Sequence, residues 1–362
     1  MIICFDCSSV TKAELDELLQ SGDWNLNEII TVAIGNLAVL HRRVGRGGAL
    51  VLDGTEASAD GVSASGDDSS VGVQRSEGMG TKSAVAQDLL PPTEPPSRFA
   101  SLPDDKWGKG QPVPIDRWVF GQYNRLLPAK VNCRILAHML TRQPKGVELT
   151  KATSHIVRAV ADLRVTLERV DTRYELDRDN ALATGFPKAG HDSEKGRLRY
   201  ANQFVAAVNK AGQVSGLLIE LKLINYIPAK NPRLLLTEAG WEFAVLHNPV
   251  IEGGADRPVG RLTTAEQDFL LNHIGRHVPA EHFAYQTILE AVASGAATPG
   301  ELDAAVMKHV SVGKDLNPAF LSSQRSGAVA RMCDLGLLAR AREGVRVSYI
   351  VTERGHAYRN RA

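Results

Sequence analysis

A mainly α fold with short β-hairpins, an α+β chain, is what the 362-residue sequence predicts, and three observations predict it. The first is an ordered phrase that occurs twice. One copy runs Glu220-Leu221-Lys222-Leu223-Ile224, a polar turn at Lys230-Asn231-Pro232-Arg233, the apolar run Leu234-Leu235-Leu236, and Thr237-Glu238-Ala239-Gly240-Trp241-Glu242-Phe243. The other runs Asp334-Leu335-Gly336-Leu337-Leu338, a polar turn at Arg342-Glu343-Gly344, a stretch through Val347, Tyr349 and Val351, and Thr352-Glu353-Arg354-Gly355-His356-Ala357-Tyr358. One supersecondary unit used twice accounts for the match. The second observation is apolar residues at helical spacing, such as Val329, Met332, Cys333 and Leu335, which mark the inner stripe of a helix. The third is boundary chemistry. Thr298-Pro299-Gly300-Glu301 combines an N-cap, a first-turn proline and a capping-box glutamate, and Gly336 stands where a helix ends in a left-handed residue.

Taken in order, Ile3, Phe5 and Cys7 alternate with Cys4 and Asp6 and predict a strand. A helix then opens at Ser9 to Thr11, is apolar at Leu15, Leu18 and Leu19, and stops at Ser21-Gly22-Asp23. After Asn25 a second helix carries Leu26, Ile29, Ile30, Ala33, Ile34 and Leu37 at i, i+3, i+4, i+7 spacing. So short a unit, residues 1–44, cannot close a core alone. Residues 45–110 are rich in Gly, Ser, Asp and Pro and predict a disordered tether. A first domain is expected over 111–252, with helices at Val131–Leu140, Leu149–Val170, Leu198–Val208 and Val214–Leu223, and a charged insertion at Asp171–Lys195. A second follows over 258–362, with helices at Ala284–Ser294 and after Thr298, another at Ser322–Leu335, and a hairpin around Gly344. The short stretch between them contains Pro249 and Pro258.

The repeated order of helix, strand, polar turn, strand and helix resembles the winged helix-turn-helix superfamily, whose "L-x-x-x-G-L" and "L-T-x-x-G" phrases these residues echo. The resemblance implies that Ser322–Leu335 is a recognition helix. Its outward face would carry Ser322, Ser323, Gln324, Arg325 and Arg331, and its wing Arg342 and Arg346, toward base edges and phosphates. In the first copy Arg197, Arg199, Asn202, Gln203, Asn209 and Lys210 take the groove-facing role, with Lys230 and Arg233 on the wing. The N-terminal pattern resembles the ribbon-helix-helix family. That resemblance implies an obligate homodimer joined through Ile3, Phe5, Leu26, Ile30, Ile34 and Leu37, and a DNA phosphate held at the helix start marked by Asn25. The outward strand positions are Cys4 and Asp6, and an aspartate repels phosphate, so dimerisation outranks base reading there.

Net charge +1 and pI near 7.8 exclude a global basic field, so any DNA footprint is local. Cys4 and Cys7, three apart on a strand, point to opposite faces, and neither Cys133 nor Cys333 has a ligand-spaced neighbour. Free thiols, no metal and a reducing, cytoplasmic setting with nucleoid association are expected. No leader or bilayer-spanning run is read from the sequence. It shows no phosphate-binding glycine loop, nucleophile elbow or His-Glu-x-x-His, and Glu281, His282, His273 and His277 are expected on helix surfaces. The leading expectation is a sequence-specific protein of double-stranded DNA, a transcriptional regulator or plasmid-type replication or partition factor, without catalytic residues or cofactor. The alternative is an interaction subunit binding other protein subunits of a chromosome-organising or phage-defence complex.

Overall fold

The computed structural model describes residues 87–360 apart from 106, 109, 189–193, 253–259 and 311–316, all within the unit Gly78–Ala362. The expected N-terminal module, with Ile3, Phe5, Asn25, Leu26, Ile30, Ile34 and Leu37, lies outside the described residues. Within them the fold is mainly helical with small antiparallel sheets.

Pro128 occupies the first turn of α1 (Leu127–Arg142), where its missing N–H leaves no intrahelical bond unmade. The chain continues through β1 (Val147–Glu148), α2 (Leu149–Arg173), α3 (Glu194–Tyr200), a π-helical turn over 201–205, β2 (Ala207–Val208), β3 (Val214–Ser215) and α4 (Leu217–Glu220). Then come β4 (Ile224–Ile227), β5 (Arg233–Leu236), α5 (Glu238–Val245) and α6 (Pro249–Glu252). The strands β1, β5 and β4 form one sheet in that order, with Val147 opposite Leu234 and Ile224 opposite Leu236. α1 is so deeply enclosed that its polar side chains need partners inside the protein. Lys130 reaches Glu266 at 3.0 Å, and Arg134 donates to the carbonyls of Ala244 and Leu89 at 2.9 and 2.7 Å. Asn132 donates to the Phe204 carbonyl and accepts from the Tyr200 hydroxyl.

The second half runs α7 (Thr264–His277), α8 (Pro279–Ala293), α9 (Pro299–His309), α10 (Pro318–Asp334), β6 (Leu338–Glu343), β7 (Arg346–Val351) and α11 (Glu353–Arg359). Thr263 with Glu266 and Thr298 with Glu301 form capping boxes. The backbone joining α8 to α9 touches the last hairpin strand, Tyr349 N–H donating to the Ala297 carbonyl at 2.9 Å. In the first half β1 meets β5 at the corresponding place.

Both copies of the repeated phrase close on one backbone junction. Lys222 (φ 55°) and Gly336 (φ 71°) each turn left-handed at the end of a helix. Leu223 N–H then returns to the Leu218 carbonyl, and Leu337 N–H to the Met332 carbonyl, both at 2.9 Å, the six-to-one bond of a Schellman turn. After each hairpin a threonine caps the last helix: Thr237 Oγ1 accepts from Gly240 N–H and Thr352 Oγ1 from Gly355 N–H. Both hydroxyls donate back across the turn, to the carbonyls of Lys222 and Leu223 and of Gly336 and Leu337. The glycines are obligatory, because a Cβ would stand 1.9 Å from the Leu223 carbonyl oxygen at Gly240 and 2.2 Å from that of Leu337 at Gly355. Phe243 and Tyr358 follow at matching positions and are both buried. Thr237→Ala and Thr352→Ala should each cost about 1 kcal/mol, within the roughly 0.5–2 kcal/mol of a missing N-cap. Urea denaturation of each variant checks this, and destabilisation confined to one of the two would break the equivalence.

Several local expectations are corrected. Residues 87–105, read as tether from their prolines, lie on the body: Leu89 is buried, Asp88 pairs with Arg142 and His155, and Ala100 bridges Thr237. The helices expected over Leu198–Val208 and Val214–Leu223 give up their facing ends, 207–208 and 214–215, to the hairpin β2–β3, because Asn209 and Gly212 close a tight turn in which Asn209 Oδ1 accepts from the N–H groups of Ala211 and Gln213. The charged insertion after Arg173 is packed over 182–186, where Asp171 accepts from the N–H groups of Leu182 and Ala183. Glu281 and His273, expected on helix surfaces, are buried, and His273 bonds the Leu221 carbonyl at 2.8 Å.

Candidate nucleic-acid interface

The outward face expected for α10 is a contact between the two halves. Residues 113–126 lie across it, and two glycines allow the approach: a Cβ on Gly121 would stand 2.1 Å from the Ser323 carbonyl oxygen, and one on Gly327 2.1 Å from the Gly121 carbonyl oxygen. Gln324 accepts from Gly121 N–H and donates to the carbonyl of Ile115 at 3.2 Å. Arg325 forks onto Asp303 at 2.9 and 3.0 Å. Arg331, 0% exposed, forks onto Glu281 and donates to the carbonyls of Val119 and Tyr123. Burial alone would make its charge easier to lose, but Glu281 outweighs it and raises the pKa. Beside this network burial pushes the Glu220 carboxyl up to about 7, helped by Glu281 and opposed by Phe120 N–H and Arg331. Gln324, Arg325 and Arg331 are therefore corrected from DNA-contact candidates to structural residues, and Ser323 is half-buried beside them. A buried guanidinium needs acceptors around it, and those it has are protein atoms.

The second hairpin is also partly committed. Arg342 and Arg340 both pair with Asp179, from the insertion after α2. Arg346 is exposed, next to Val345, which is 98% exposed at the tip.

The first half keeps most of its candidates in solvent, with Gln203 half-buried and donating to Gln122, and gathers some of them. Lys230 and Arg233 are exposed at the first hairpin, with Arg233 directed toward the Lys145 carbonyl at 3.5 Å. Arg197, Arg199 and Asn202 are exposed along α3 and its π-helical continuation. Arg199 and Gln203 line a groove of about 690 Å³ together with Gln122, Asn124, Arg164 and Lys188. Among the described residues no carboxylate lines it, and Lys188, Arg197 and Arg199 make no ion pair with any described residue. Arg164 is anchored, donating to Glu168 at 2.7 Å and to the Phe186 carbonyl.

The groove floor is stiff and aromatic. Phe186 stacks on Tyr200 at 6.1 Å between centroids, and Tyr200 lies 5.2 Å from Phe204. Tyr200 donates its hydroxyl to Asn132 at 2.8 Å, and its burial raises the pKa, so it remains a neutral donor. Cationic and amide side chains over an apolar floor suit an anion whose flanking atoms are flat or apolar, as a nucleic-acid strand offers. Gln122, Asn124, Arg164 and Lys188 carry no sequence signal for this role. They come from three separate segments joined only in the fold: Gln203 donates to Gln122, Arg164 donates to the Phe186 carbonyl, and Phe186 stacks on Tyr200 of α3.

Burial pushes the Cys133 thiol up to about 12 and the Cys333 thiol up to about 11, so neither is a ready nucleophile. No group of three metal-ligating side chains occurs among the described residues, and no helix among them is long and apolar enough to cross a membrane. Compared with known proteins, the chain matches no family model, no curated protein and no solved structure.

Proposed function

We propose that the chain binds double-stranded DNA, as a transcriptional regulator or a plasmid-type replication or partition factor, and that its first half makes the contact. The groove with Lys188, Arg199 and Gln203, whose described lining holds no carboxylate, carries this reading, because in a chain of net charge +1 an electrostatic footprint for DNA has to be local. Two winged-helix units fit the element order of both halves and their shared helix-turn and threonine-cap junctions. Arg197, Asn202, Lys230 and Arg233 are further exposed polar and cationic residues of the same half.

Lys188→Glu combined with Arg199→Glu should weaken binding of a labelled duplex by at least about tenfold and lower the salt slope by about two, one for each phosphate that is no longer neutralised. Fluorescence anisotropy across a salt series measures both. Unchanged affinity moves the assignment to a protein-docking subunit. One observation favours that second reading: α10 already spends its outward face on a protein contact, while Val345 and Ile350 stay exposed on the second hairpin.

Homodimerisation through residues 1–44 belongs to the same proposal, resting on the apolar stripe Leu26, Ile30, Ile34 and Leu37. Ile30→Asp should give a folded monomer where the parent is a dimer. Light scattering decides it, and equal masses for the two would remove the dimeriser.

A further inference from the structure

A cavity of about 540 Å³ opens where α7, α8 and α11 come together in the second half. Leu271, Pro279, Phe283 and Tyr358 give it an apolar interior. Tyr358 is fixed there, its hydroxyl 2.7 Å from Nδ1 of His282 and its carbonyl accepting from Gln286 at 3.3 Å. At the mouth stand Asn272 and Arg276, four residues apart and so on one face of α7. Both are exposed, and Arg276 makes no ion pair or hydrogen bond with any described residue. It is the one arginine or lysine in the described lining, which holds no carboxylate. Gly275 deepens the cavity without being needed for the packing. Its backbone is ordinary helix, and an added Cβ would meet only the Tyr358 hydroxyl at 3.9 Å and His282 Nδ1 at 4.0 Å. At Gly121, Gly240, Gly327 and Gly355, by contrast, a Cβ would strike backbone at 1.9 to 2.2 Å. Alanine is the better helix former at position 275, so what the glycine provides is space beside the His282–Tyr358 pair.

We propose that this cavity binds an aromatic monocarboxylic acid, its carboxylate held at the mouth by Arg276 and Asn272 and its ring seated inside against Phe283 and Tyr358. A guanidinium whose donors are unused and in solvent is matched to a carboxylate, which it takes through two parallel N–H bonds. One fixed cation without a second basic neighbour balances one negative charge, whereas a phosphate monoester brings about two. Inside, apolar walls favour a flat hydrocarbon body, and ring pairs add to the burial of their area. The volume lies within the range of small-molecule sites. Arg276 also borders a neighbouring cavity that contains Glu238 and Glu242, but it pairs with neither, and Gly275 lines only the first of the two. The site shares no residue with the groove of Arg199 and Gln203, so it stands whether or not the chain binds DNA.

Benzoate and 2-naphthoate, each compared with its neutral amide and with phenyl phosphate, are the probes, titrated into the full chain at constant ionic strength. At least one of the two carboxylates should bind saturably by calorimetry and raise Tm with concentration, as a ligand of the native state does. Its amide should bind about tenfold more weakly or worse, having lost the charge that Arg276 meets. Arg276→Gln should weaken the carboxylate by about tenfold and leave the Tm of the unliganded protein in place, because the exposed side chain has no partner to lose. Gly275→Ala should raise that Tm and still weaken the carboxylate by about threefold or more, since its methyl takes space from the ligand. A glycine with only a structural role would not give those opposite signs. Lys188→Glu with Arg199→Glu should leave the carboxylate affinity unchanged, separating this site from the groove. No saturable binding of either carboxylate, equal affinity for acid and amide, or unchanged affinity in Arg276→Gln or Gly275→Ala overturns the proposal. Tighter binding of phenyl phosphate than of both carboxylates overturns it too, and reassigns the cavity to phosphate esters.

Discussion

Replacing Arg331 by alanine is expected to cost roughly 3–5 kcal/mol, because it leaves the Glu281 carboxylate charged, buried and without its partner. Both side chains of the pair are 0% exposed. The carbonyls of Val119 and Tyr123 go without their donor as well, and a buried acceptor left unmade adds to the destabilisation. Arg331→Met combined with Glu281→Leu should recover a large part of it, since removing both charges removes the desolvation penalty along with the attraction. Denaturant unfolding of the two proteins measures the difference. A change below about 1 kcal/mol for Arg331→Ala would mean that the side chain swings to solvent, which would reopen its role in binding DNA. Arg197→Ala, on an exposed position of α3, should by contrast stay within about 0.5 kcal/mol.

Gly327→Ala sets two effects of opposite sign against each other. Alanine is the better helix former by about 1 kcal/mol, which favours the variant. Its Cβ, however, would lie 2.1 Å from the Gly121 carbonyl oxygen and 2.4 Å from Gly121 Cα, and backbone cannot swing aside as a long side chain does. Overpacking of this kind costs about 1–3 kcal/mol, occasionally more, and relief requires residues 113–126 to lift from α10. We expect a net destabilisation of about 2 kcal/mol, together with a red shift in tryptophan fluorescence as Trp118, now 3% exposed and bonded to the Val113 carbonyl, meets water. Gly300→Ala is the control, because nothing stands within 4 Å of its added Cβ. Equal stability of the Gly327→Ala protein and the parent, with no spectral shift, would mean that the two halves are held elsewhere.

Local junctions are written in the order of residues alone. Thr298 and Glu301 are three residues apart, Leu337 returns to Met332 within one turn, and Thr352 caps the third residue after it, so each bond joins neighbours whose identities suffice to predict it. The mainly helical α+β class follows from the same short-range signals. Which face of α10 meets solvent was settled only in three dimensions. Arg325 and Arg331 carry the same charge and similar spacing whether they reach a phosphate or a carboxylate, and their partners Asp303 and Glu281 stand on other helices. The polar residues of α1 hide the same way: Lys130 and Arg134 would suit a surface, but their acceptors lie beyond residue 240 or before residue 90. The candidate groove has the converse character, since Arg199 and Gln203 are legible on their helix while Gln122, Arg164 and Lys188 reach them only through packing. Periodicity and capping act over a few residues along the chain, whereas burial of a charge depends on which distant atoms can satisfy it, and those atoms are brought near only when the chain has folded.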